Sequence, residues 1–194
     1  MPKIVDHEER RQAIAKTAMR VIAAKGLEAS KLSDIAKQAG VTTDAITHYF
    51  ADKDSVLNAA LEISHKLTFS AMDQERAKAK ASLLSVLQYA LPINEKSRCA
   101  MSVWLAFWSQ SMVKSLVADR QTELHLQWHA KVEENVIFFC NKKNISTPKN
   151  LKDCCESITA FINGIIIRGV MDPDNWPAAR QKKLLKKHLS DQGL

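Results

Sequence analysis

The stretch LSDIAKQAGVTTDAITHYFADK, residues 32–53, decides how the rest of this chain is read. Two short helices that cross steeply make three demands. They need a small residue where the backbones approach, a glycine where the turn takes positive φ, and a branched apolar residue to lock the second helix. Ala36, Gly40 four positions later and Ile46 six positions after that meet the demands in order. Ile35, Ala39 and Val41 complete a small apolar core. Ser30 is the expected N-cap of the first helix, and Thr42 that of the second, which should run through Phe50. The spacing is that of a helix-turn-helix.

With those side chains turned inward, Thr42, Thr43, Asp44, Thr47, His48 and Tyr49 are left on the outside. The second helix of such a motif can lie in the major groove of double-stranded DNA. Hydroxyls there bond phosphate oxygens or base edges, and threonine methyls meet the thymine methyl. Lys53 opens a further helix capped by Asp52, where positive charge and free N–H groups favour a phosphate. These seven residues are the candidate DNA contacts, with Tyr49 and Lys53 expected on phosphates and Thr43 on bases.

Outward from this core, helical spacing dominates. A helix over 8–25 places Ile14, Ala18, Val21 and Ile22 on one face and stops at Gly26. The helix from Asp52 should reach about residue 77. Others are expected at about 81–90, 96–112, 115–142, 149–171 and 177–190, broken by Pro92, NKKNISTP and DPDNWP. Five glycines and five prolines in 194 residues supply too little turn chemistry for a sheet protein, so the fold expected is all-α. Its architecture changes at about residue 50, from short helices with tight turns to long ones.

Composition narrows the class. An apolar fraction of 46% suits a buried core, and 25% charged residues suit a solvated surface. The net charge of +7 is not concentrated on the helix-turn-helix, where residues 1–54 carry nine Lys or Arg against eight Asp or Glu. The densest basic run, Arg180, Lys182, Lys183, Lys186 and Lys187, reads as the solvated face of a last helix. Any case for DNA therefore rests on geometry. The start, MPKIVDHEERR, has no apolar signal core, and the longest apolar run, AFINGIIIRGVM, is interrupted by Asn163 and Arg168. No membrane partner and a cytoplasmic location are expected. Cys99, Cys140, Cys154 and Cys155 lack zinc-ligand spacing and read as small buried side chains.

The stretch LSDIAKQAGVTTDAITHYFADKDSVLNAAL, residues 32–61, resembles the TetR family of bacterial repressors, with their YF-x-x-K signature present as Tyr49, Phe50 and Lys53. The resemblance implies a dimer with an N-terminal three-helix helix-turn-helix DNA-binding domain, residues 1–51. It also implies a larger C-terminal helical ligand-binding and dimerisation domain, residues 52–194. Two positions depart from the family pattern, which commonly has glycine in place of Asp44 and tyrosine in place of Thr47. MSVWLAFWSQSM, residues 101–112, together with ITHYF and FINGIIIRGVM, is similar to the choline-responsive Bet repressor subgroup. That similarity implies an inducer such as choline or a related quaternary ammonium compound, and control of glycine betaine synthesis, hence osmoprotection. No cofactor is implied.

Residue chemistry is compatible with such a ligand. Trp104 and Trp108 are four apart on one helix face, Phe107 lies beside them, and Trp128 comes from the next helix. Aromatic faces hold quaternary ammonium by cation–π attraction. Asn163 and Tyr89 are polar residues in apolar helices that could orient a ligand hydroxyl. The same aromatics could equally fill a core. Phe161, Ile162, Ile165 and Ile166 offer an apolar face for a dimer through the two last helices. Three rival readings stand beside this one. A different cationic or hydrophobic effector, as in an efflux regulator, fits the same architecture. His125, His129 and Glu133, at i, i+4 and i+8, form a helical stripe that could bind a transition metal. An enzyme is disfavoured, since the chain has no glycine-rich phosphate loop, HExxH or GxSxG.

Overall fold

The computed structural model describes residues 7–111 and 115–194, the latter stretch with side chains from residue 120. It contains helices and turns and, among the described residues, no strand. The helices are α1 (His7–Lys25), α2 (Leu32–Ala39), α3 (Thr43–Thr47) and α4 (Lys53–Arg76). After them come α5 (Leu83–Leu87) with a 3₁₀ turn at Gln88–Ala90, α6 (Glu95–Ser111), α7 (Ser115–Lys143), α8 (Leu151–Met171) and α9 (Ala178–Asp191). Residues 1–6, which open the stretch read as having no apolar signal core, and the expected end of the sixth helix at Met112 lie outside the described residues.

α1 buries Ile14, Ala18, Val21 and Ile22, the face its spacing marks, and ends at Gly26. Ser30 does not cap α2. It is fully buried, and its hydroxyl donates to the Gly26 carbonyl at 2.6 Å, so it fastens the turn after α1. The residue in cap position is Lys31, whose N–H is met by the Asp34 carboxylate at 3.4 Å. Gly40 stands at φ +67°, the left-handed conformation that a helix C-terminus favours and side chains resist. Ile35, Ala36 and Ile46 close the small core beneath it. Thr42 caps α3 by accepting from the Ala45 N–H at 3.1 Å. α3 is shorter than expected. It stops at Thr47, and His48 and Tyr49 form a turn that drives Phe50 into the core.

α4 is the axis of the molecule. It starts on Asp52, which accepts from the Ser55 N–H at 2.7 Å, and runs 24 residues. Along the way it packs against α1, α6 and α5, and one continuous apolar core runs from Ile14 to Leu189. α8 carries that core onward through Cys155, Ile158, Ile162, Ile165 and Ile166 against α6, α7 and α9. By length and composition α8 is apolar enough to cross a membrane, which the interrupted run AFINGIIIRGVM did not suggest, because the helix begins nine residues earlier at Leu151. Its buried face makes it a core helix. Gly169 is where α8 meets the Pro92 turn and α9: a Cβ there would lie 2.7 Å from the Pro92 ring and 2.8 Å from Gln181.

The expected dimer face needs correction. Ile162, Ile165 and Ile166 point into the core of their own chain, and Phe161 stacks on His188 at 4.1 Å. Residues at i, i+1, i+4 and i+5 form one broad stripe of a helix, and here that stripe is turned inward, with half-buried Phe161 at its edge. The side of α8 left outward carries Ala160, Gly164, Ile167 and Met171. Cys140, Cys154 and Cys155 are buried free thiols, with burial pushing Cys155 up to about 12. Cys99 is half-buried, its thiol raised for the same reason.

Candidate nucleic-acid face and ligand cavity

Folding brings the candidate DNA contacts to one end of the molecule. Thr42, Thr43, Asp44, Thr47 and His48 are exposed, and Tyr49 is half-buried. The Thr42 oxygen is already engaged as a cap. Thr47 donates its proton to the Asp44 carbonyl at 2.9 Å, leaving its oxygen to accept. Lys53 is not a free cation at a helix start. Its ammonium donates to the Glu28 carbonyl at 3.2 Å, which ties the first turn of α4 to the loop between α1 and α2. Two of its three protons remain for a phosphate.

α1 contributes to this end in a way that spacing did not reveal. The Tyr49 ring packs on His7 at 4.6 Å and edge-on to His48 at 5.2 Å. Arg11 donates to the Tyr49 carbonyl at 3.3 Å and lies 4.6 Å from the Phe50 ring centre. The turn after α3 is thus held by two side chains from 38 or more residues upstream. The only sequence hint was that His7 and Arg11 are four apart and so share the start of one helix face.

A second assembly lies in the middle of the chain. A cavity of about 30 Å³ is lined by Ser64, His65, Thr68 and Phe69 from α4, Met101 and Trp104 from α6, Trp128 from α7, and Asn163 and Ile166 from α8, with Ala90. Trp104, Trp128 and Asn163 meet here, as the expected ligand site required. Phe107 and Trp108 do not line it. Phe107 is buried in the core, and Trp108 packs on the Trp104 ring at 4.4 Å beside a separate surface hollow. Tyr89 is directed elsewhere, donating to Glu75 at 3.4 Å.

The lining residues missed by sequence reasoning come chiefly from α4. Ser64, His65, Thr68 and Phe69 fall at i, i+1, i+4 and i+5, one stripe of a helix, and that stripe was the available signal. The His65 and Phe69 rings stand 5.6 Å apart, and Phe69 is 6.2 Å from Trp128. Burial pushes His65 down to about 4, assisted by the Arg120 charge, so at neutral pH it carries none. Arg120 itself is engaged by Glu62 at 2.6 Å and by Glu123.

The metal stripe does not assemble. Among the described residues no group of three His, Cys, Asp or Glu comes together to hold an ion. His129 faces Glu156 at 3.3 Å rather than acting with Glu133.

Comparisons with known proteins bear on both ends. Residues 79–193 match the family described as BetI-type transcriptional repressor, C-terminal, and residues 14–60 match the one described as bacterial regulatory proteins, tetR family. The chain is 28% identical over 193 residues to the HTH-type transcriptional regulator PksA of Bacillus subtilis, covering 97% of this chain and 92% of that protein. It is 28% identical over 201 residues to the HTH-type transcriptional regulator BetI of Proteus mirabilis, covering 99% and 96%. In fold it is similar to a transcriptional regulator from Saccharomonospora viridis solved in complex with choline, with TM-score 0.80, 22% identity, and 94% and 96% of the two chains covered.

Proposed function

Because this chain belongs to the TetR family of transcriptional regulators, with a C-terminal part of the BetI type, it is a DNA-binding regulator rather than an enzyme, and we propose that it is a choline-responsive homodimeric repressor of genes converting choline to glycine betaine. Residues 1–51 form its DNA-binding domain and residues 52–194 its ligand-binding and dimerisation domain, acting on operator DNA in the cytoplasm. The DNA contacts are Thr42, Thr43, Asp44, Thr47, His48, Tyr49 and Lys53. The dimer forms through α8 and α9, with the outward face at Ala160, Gly164 and Ile167 in place of the buried isoleucines.

One observation carries the ligand reading: three aromatic rings from three helices, Phe69, Trp104 and Trp128, surround a cavity with no charged side chain among the described residues of its wall. A quaternary ammonium has no proton to donate, so aromatic faces suit it better than hydrogen-bond acceptors. Trp108 then belongs to the ligand site as backing for Trp104, while Phe107 stays in the core outside its wall. At about 30 Å³ the cavity holds a water molecule but not a trimethylammonium group. Entry must therefore move the lining, and four of its residues are on α4, whose first residue is Lys53. A ligand lowers DNA affinity only by favouring a state that binds DNA less well. Displacement of α4 supplies such a state by changing the separation of the two α3 helices in the dimer.

The test is binding to a palindromic operator by fluorescence anisotropy while choline is titrated. Choline should release the DNA over the range in which it quenches tryptophan emission. Trp104→Ala should abolish the response with ligand-free DNA binding retained, and Trp108→Ala should weaken it less. Release by a different cationic or hydrophobic compound, with choline inert, would favour the second reading, an efflux-type regulator, which the wholly uncharged lining also suits.

A further inference from the structure

The cavity wall contains an unsatisfied polar group. His65 Nδ1 is buried and has no hydrogen-bond partner among the described residues, in a wall whose other described residues bring rings, aliphatic groups, the Met101 thioether, two hydroxyls and the Asn163 amide. A buried polar atom left unpaired destabilises the fold, so most are satisfied. This one is placed beside an opening into which a small molecule could bring the missing partner.

The chemistry of that partner is constrained. A neutral imidazole has one donor and one acceptor nitrogen. An alcohol oxygen also donates and accepts, so it matches either tautomer. A carboxylate only accepts, so it matches a single tautomer, and the described residues of the wall offer no cation to offset the desolvation of its charge. The aromatic wall begins 5.6 Å away at Phe69 and continues to Trp128, a span that a two-carbon arm can bridge. We infer that His65 is the specificity-determining residue of this cavity, binding the hydroxyl of a quaternary-ammonium alcohol while Phe69, Trp104 and Trp128 hold the ammonium, and rejecting the corresponding carboxylate. The inference rests on the cavity being the effector site. Burial keeps His65 uncharged at neutral pH, so no described residue of the wall repels the cation. The selection has a regulatory sense: a sensor of the alcohol should ignore the acid that oxidation of that alcohol yields.

Calorimetric titration of the intact dimer with three probes tests this. They are choline, ethyltrimethylammonium, which is choline without its hydroxyl, and glycine betaine, which carries the carboxylate. The wild-type protein should prefer choline over ethyltrimethylammonium by about tenfold, the effect of one hydrogen bond to an otherwise unpaired buried group. Glycine betaine should bind more weakly than either. His65→Phe should erase the preference and leave ethyltrimethylammonium within about twofold. His65→Leu serves the same purpose should the phenyl ring prevent folding. A preference that survives both substitutions overturns the role of His65, as does a wild-type protein that binds the two cations equally or takes glycine betaine more tightly than choline. Failure of the wild-type protein to bind either cation overturns the cation reading of the cavity, and the inference with it.

Discussion

The DNA-facing end and the cavity are built in opposite ways. The α2–α3 pair draws its core from Ile35, Ala36 and Ile46, joined by the Gly40 turn, all within twelve residues, and exposes its proposed DNA contacts. The cavity draws on α4, α6, α7 and α8, residues up to 102 positions apart, and encloses what it uses. The first can be read from spacing because each demand is local. The second depends on which face of each long helix meets its neighbours, and spacing alone leaves several faces open.

Substitutions can separate the two. The largest effect is expected for Ile46→Ala. Ile46 is fully buried and locks α3 on α2, so its truncation should cost roughly 2–5 kcal/mol of local stability. Operator binding should disappear while choline titration, followed by calorimetry, is nearly unchanged. Equal loss of both would mean that the two ends fold as a single cooperative unit.

Next is the pH response of the cavity. The unfolded chain protonates His65 near 6.5 and the folded chain only near 4. Below about pH 6.5 the unfolded state binds the extra proton, so stability falls as pH falls and levels off below about pH 4. The total is about 3 kcal/mol. Urea unfolding at pH 7, 5 and 4 should show this slope, and His65→Leu should flatten it. An unchanged slope in the variant would assign the acid sensitivity to other groups.

Smaller effects belong to the DNA face. Lys53→Gln should weaken all operator sequences alike, by about tenfold, and reduce the salt dependence by about one counterion. Thr43→Ala should instead alter the preference among operator variants, by about 1 kcal/mol or more at one base pair. Gel-shift titrations on an operator panel at two salt concentrations distinguish these outcomes. Uniform loss for Thr43→Ala would remove its base-reading role.

The smallest effect tests the outer side of α8. A methyl at Gly164 meets nothing within 4 Å in the single chain, so Gly164→Ala should stabilise the isolated subunit by up to about 1 kcal/mol. If the dimer packs there, sedimentation should show weaker association of the same variant. Unchanged association would put Gly164 outside the interface.

Particular residues show where legibility stopped. The Ala36–Gly40–Ile46 spacing and the Thr42 and Asp52 caps were readable because each acts within a few residues. Ser30 was misread because its choice between capping α2 and fastening Gly26 depends on burial, which sequence does not display. Trp104 and Trp128 were readable as aromatics on neighbouring helices, but the separation of Trp104 from Trp108 needed the crossing of α6 over α4. Ile162, Ile165 and Ile166 announced an apolar surface without announcing its partner, and the partner was the interior of their own chain. His65 and Phe69 sit midway along α4, and which side of so long a helix lines a cavity is set by the helices packed on it, not by local spacing.

That helix has a consequence for how such a protein can change over time. Lys53 and His65 are twelve positions apart, roughly 18 Å along α4, so under the proposed function the part that addresses DNA and the part that meets a ligand occupy separate stretches of one helix. Replacements at His65, Thr68 or Phe69 can alter the chemical signal without touching the address, and replacements in α3 can alter the address without touching the signal. A duplicated gene could therefore acquire a new stimulus in few steps, while the rod that connects stimulus to response is inherited intact.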